Sequence, residues 1–184
     1  MINQSRLNKL DDNLVMHYVD DFTGIKTVRV INIAGSNGNV FRMISNEDNQ
    51  ENVCEFTFTF LFENKSLFML FKRTKGTFRL MPYENIYFLF DNNTSLRIDY
   101  PQEASLQSDV TWINRVELSP EIFNLFANHN LIKWKWIDEQ IDHFAVGDLT
   151  NFDKEIYQNK EELQYSIRAV SLDISRNIGQ IGRI

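Results

Sequence analysis

Between residues 26 and 147 the apolar positions fall into short runs, some alternating with polar residues and some crowded together, with turn residues between them. Alternation with a period of two marks a half-buried strand, and a short continuous apolar run marks a strand covered on both faces. The pattern predicts strands at Leu14 to Val19, Lys26 to Ala34, Val40 to Ile44, Val53 to Phe62, Ser66 to Arg73, Thr77 to Met81, Ile86 to Phe90, Ser95 to Tyr100, Val110 to Leu118, Leu131 to Ile137 and Ile141 to Val146. The links are mostly of hairpin length, so neighbours in sequence are expected to pair in antiparallel sheets.

The stretch VCEFTFTFLF puts Cys54, Phe56, Phe58, Phe60 and Phe62 on one side of an extended chain. Such a row fills a core, lines a pocket or meets a partner. Ser66 to Phe71 and Ile86 to Phe90 are apolar on both sides and need cover on both, which a single open sheet cannot supply. The expected fold is therefore α+β and β-rich: mostly antiparallel sheets, arranged as a two-layer sandwich or one strongly curved sheet, with helices as further cover.

Two helices are predicted. Ser119-Pro120-Glu121 is a start signal, with a capping hydroxyl, a proline at the first helical position and an acid in the first turn. The short helix runs over 120–128, with Ile122, Phe123, Leu125 and Phe126 on its apolar side. A longer amphipathic helix is read from Asn151 to Ile178 on Phe152, Ile156, Leu163, Ile167, Val170, Ile174 and Ile178, with a break allowed near Asn159-Lys160. The chain is thus expected to be a single domain over 1–184, a β-rich body over 1–147 followed by a helical extension over 148–184. A helix of that length would overrun its own sheet. Val170, Ile174 and Ile178 are accordingly candidate contacts to a protein partner or a second copy, with a symmetric dimer the simplest closed arrangement.

Composition narrows the partners. A chain of 184 residues can hold a core without disulfides or metals. A net charge of −6 argues against nucleic acid. Lys72-Arg73-Thr74-Lys75 reads as a solvated turn. No signal-peptide core and no membrane-length apolar run is present, so a cytoplasmic location and no membrane contact are expected. Cys54, alone and within the phenylalanine row, reads as a small buried hydrophobe.

Candidate chemistry is sparse. Asp138, Glu139, Asp142, His143 and Asp148 gather metal-ligand types into one short stretch. In a hairpin, however, Asp142 and His143 point to opposite faces, so no metal and no cofactor is expected. His17 lies close to Asp20 and Asp21, an ordinary hydrogen-bonding arrangement, and Gly35 to Asn39 is glycine-rich without the helix a phosphate loop needs. Trp134 and Trp136 alternate with Lys133 and Lys135, which separates rings from charges; the two tryptophans are core residues or contact residues at a partner surface. No catalytic residue stands out. The leading expectation is a non-enzymatic protein acting through protein contacts, as an adaptor, assembly subunit, or inhibitor or immunity-type protein. The alternative is a binding module enclosing a small apolar ligand, with the row Phe56 to Phe62 as its lining. A third reading is a metal-dependent enzyme centred on the acidic stretch.

Overall fold

The computed structural model describes residues 7–10, 13–19, 22–24, 26–32, 41–50, 53–63, 66–78, 83–99, 105–108 and 111–181. Along these the chain forms β1 (Leu7–Leu10), β2 (Asn13–Val19), β3 (Lys26–Asn32), β4 (Phe41–Ile44), β5 (Glu47–Asp48), β6 (Glu55–Glu63), β7 (Ser66–Lys75), β8 (Glu84–Phe90), β9 (Ser95–Asp99), β10 (Ser105–Ser108), β11 (Thr111–Leu118), α1 (Pro120–Asn128), β12 (Leu131–Asp138), β13 (His143–Gly147) and α2 (Lys160–Ile181). The Gly35 to Asn39 loop and the side chains of His17 and Ile178 lie outside the described residues.

The expected β-rich architecture is present as two antiparallel sheets. One follows the order β1-β2-β3-β6-β7-β11-β10, with β4 also paired to β6, and the other the order β5-β13-β12-β8-β9. Strand β6 changes partner along its length, pairing Phe62 with Val28 of β3 and Phe58 with Phe41 of β4. The inner faces meet through rings: Phe56 lies 4.9 Å from Trp134 and 5.2 Å from Trp136, and Phe58 lies 5.9 Å from Phe88. Edge-to-face approach of this kind adds to what apolar burial already contributes. The phenylalanine row is therefore core over Phe56, Phe58 and Phe60, and Cys54 is buried beside it, where burial pushes its thiol well above the ordinary range.

Helix α1 begins as its sequence requires. Ser119 caps it, accepting from the Ile122 N–H at 3.3 Å, and Pro120 takes the first position, where a missing N–H is harmless. Its apolar side enters the gap between the sheets: Phe126 lies 5.1 to 6.2 Å from Phe58, Phe60, Phe88 and Phe90.

Helix α2 starts later than Asn151. Asn159 accepts from the Glu162 N–H at 2.8 Å, and the Glu162 carboxylate accepts from the Gln158 N–H at 2.6 Å, a reciprocal cap that sets the start at Lys160. The preceding segment is turns, in which Phe152 and Ile156 still pack against the core. Leu163, Ile167, Val170 and Ile174 are buried, and α2 packs chiefly on α1, with further contacts to β1, β2 and β12. The helix does not overrun its body through Ile174. By turning at 151–159 before the helix begins, the chain shortens the rod and lays it on the domain's own surface.

Two local expectations change. The basic run is the end of β7, not a turn: Arg73 is buried, Thr74 donates to Glu55, and Lys75 pairs with Glu55 at 3.3 Å. After it, Gly76 adopts a φ of 100° that turns the chain, so Thr77 and Phe78 do not begin a strand.

A candidate ligand pocket

The far end of the phenylalanine row behaves differently from its middle. Antiparallel register sets Phe62 opposite Leu67 of β7, and Leu67 opposite Leu118 of β11. Chain direction then carries Leu118 straight into Ser119, Pro120 and α1, so the helix start stands over this corner of the inner face. Phe62, Leu67, Leu118, Pro120 and Phe123 form the apolar lining of a half-open cavity of about 510 Å³. Ser66, Glu117, Ser119 and Asn124 form its polar rim, and Ser175 of α2 borders it.

The floor is set by core residues: Phe62, Leu67, Leu118 and Phe123 are buried, whereas Glu117, Ser119, Pro120 and Asn124 are exposed. The Ser175 hydroxyl is buried and has no hydrogen-bond partner among the described residues. The helix start is already occupied, since the Glu121 backbone N–H and the Ser119 hydroxyl bond the Glu121 carboxylate and hold its carboxyl below the usual range. With Glu117 at the mouth and Glu121 on the helix start, an anionic ligand meets repulsion there.

The residues expected to meet a partner lie elsewhere. Trp134, Trp136, Val170 and Ile174, expected at a contact surface, are buried among the chain's own elements. The physical reason is register: Trp134 and Trp136 share the inner face of β12, and Val170 and Ile174 share the side of α2 turned toward the body. Trp136 donates to Glu84 at 3.2 Å, and Trp134 lies so close over Gly147 that any side chain there would collide with its indole.

The acidic stretch is divided by its turn. Asp138 and His143 face inward at the paired ends of β12 and β13, while Asp142 takes a φ of 51° in the turn and is exposed. Asp148 accepts from the Thr150 hydroxyl at 2.6 Å and from its N–H at 3.0 Å, which hold the Asp148 carboxyl low. Among the described residues no group of three or more His, Cys, Asp or Glu side chains could hold a metal ion. None of the described helices is long and apolar enough to cross a membrane.

The pocket was only partly foreshadowed. Phe62 belongs to the row, and the Ser119 signal marks the helix, but their meeting depends on β7 pairing with β11, which alternation cannot show. No protein-family model, curated protein or solved structure matches the chain.

Proposed function

We propose that this protein is a binding module for a small, largely apolar ligand seated between β6, β7, β11 and the start of α1. The observation that supports this reading is the half-open cavity of about 510 Å³, with an apolar floor and a hydroxyl- and carboxylate-bearing rim. Its volume falls within the roughly 300 to 1,000 Å³ usual for ligand sites, and a few polar groups around an apolar floor are the usual means of fixing orientation. The rim chemistry selects a neutral or cationic polar end, an alcohol or an amine, over a carboxylate. Val170 and Ile174 of α2 are buried against the chain's own body, whereas the pocket is an apolar surface open to a second molecule.

The test is titration of the folded protein with an environment-sensitive apolar dye, beside a Ser66→Trp variant that fills the cavity from its rim. Saturable binding near one dye per chain, weakened at least tenfold in the folded variant, supports the reading. Binding that is absent, or equal in both proteins, refutes it.

A further inference from the structure

At the other end of β7, away from the pocket, an exposed hydroxyl, a buried imidazole and a buried carboxylate stand in line. Nδ1 of His143 lies 3.2 Å from Oγ1 of Thr77, and Nε2 lies 2.9 Å from Oδ1 of Asp48. The imidazole and the carboxylate are 2% and 3% exposed, whereas Thr77 is open to solvent. Phe78 stacks on the imidazole with centroids 4.2 Å apart and planes 10° from parallel, which fixes the ring.

The bonding sets the direction of the relay. A carboxylate only accepts, so a neutral imidazole keeps its proton on Nε2 toward Asp48, and the Nδ1 lone pair faces the Thr77 hydroxyl, which donates. Asp48 Oδ1 also accepts from the Gln50 N–H at 3.0 Å, while its buried Oδ2 has no partner among the described residues. The Arg73 guanidinium donates to the Gly76 carbonyl, one residue before Thr77, and brings a positive charge to the same corner. A hydroxyl bonded to a base, itself oriented by a third group, is how a weak nucleophile is activated, whatever the fold that carries it.

We propose that Thr77 is a reactive hydroxyl that takes acyl groups from activated esters, with His143 as its general base and Asp48 as a positioning residue. Oγ1 attacks the ester carbonyl as its proton passes to Nδ1. The carbonyl–alkoxy bond then breaks, and the departing oxygen takes that proton from Nδ1, leaving an acyl ester on Thr77 and a free alcohol. Water attacking the acyl ester by the same route releases a carboxylic acid and restores the hydroxyl.

The experiment uses the full chain with p-nitrophenyl acetate, following phenolate release, the intact mass and the position of the acetyl group by peptide mapping. The expected result is one acetyl group at Thr77, retained in Thr77→Ser and absent in Thr77→Val, whose change lies at an exposed position and leaves the buried pair intact. His143→Gln, confirmed as folded by its unfolding midpoint, is expected to slow labelling roughly 100-fold and to abolish the plateau of the rate in its pH profile. Asp48→Asn is expected to lower that plateau and move it along the pH axis, which loss of packing alone would not do. Acetylation confined to lysines, or a labelling rate in Thr77→Val equal to that of the native chain, overturns the proposal.

Discussion

Replacing Phe58 by alanine probes the centre of the sandwich. The ring is 1% exposed and lies within 5.2 to 6.4 Å of Phe41, Phe60, Phe71, Phe88 and Phe126, which come from β4, β6, β7, β8 and α1. Transfer of a phenyl ring from water contributes about 1.5 to 3 kcal/mol, and the cavity left behind brings a buried Phe→Ala change to about 3 to 5 kcal/mol. Neighbours anchored in five separate elements cannot all move inward, so the upper part of that range, about 4 kcal/mol, is expected. With a urea slope of about 2 kcal/mol per molar, the midpoint of unfolding followed by far-ultraviolet circular dichroism falls by about 2 M. Phe62→Ala, whose ring borders the open pocket, merely enlarges existing space and is expected to cost little more than the transfer contribution, about 1.5 to 3 kcal/mol. A Phe58→Ala midpoint matching the native chain, or equal losses for the two variants, would refute the division of the row into core and pocket.

Gly147→Ala forces a methyl group into the Trp134 indole, so a loss of about 1 to 3 kcal/mol or more from overpacking is expected in the same assay. For Glu55, burial pushes the carboxyl up, but bonds from Arg42 at 2.8 Å and Thr74 at 2.6 Å outweigh it and hold the group below the usual range. Because the folded value lies below the unfolded one, its contribution is complete above about pH 4.3 and is lost as the pH falls through the folded value; Glu55→Gln should flatten that part of the stability profile. A chain ending after Ser166 loses the buried Ile167, Val170 and Ile174 and is expected to fail to fold, which circular dichroism with light scattering checks; a folded, soluble truncated chain would contradict the packing of α2.

Alternation made the larger strands legible, because β6, β7, β8, β9, β11 and β12 each carry enough apolar residues to show a period. It could not show β1, β5 or β10. The sequence of β5 is Glu-Asp, and only its backbone pairing to Val146 and Ala145 makes it a strand. The start of α2 lies later than the apolar spacing suggests, because Phe152 and Ile156 keep the helical spacing while lying outside the helix, and the signal that marks the start is the cap formed by Asn159 and Glu162. His143 adjoins Asp142 in sequence, but its partner in the fold is Asp48. Spacing along the chain says nothing about contacts between strands of distant origin, and both the pocket and the Thr77 relay are of that kind.

The pairing of β5 with β13 also bears on the order in which the protein assembles. Hairpins such as β6 with β7, β8 with β9 and β12 with β13 close short loops, whereas Asp48 and His143 are 95 residues apart. Contacts of such separation pay their chain-closure entropy before they return anything, and β5 itself sets only two residues opposite β13, with further bonds from the flanking Asn46 and Asn49. It is expected to dock late, once the β12 and β13 hairpin presents a finished edge. Until then Thr77 has a base without its orienting carboxylate, so full reactivity at that hydroxyl belongs to the completed fold, and its onset during refolding gives a clock for the last step.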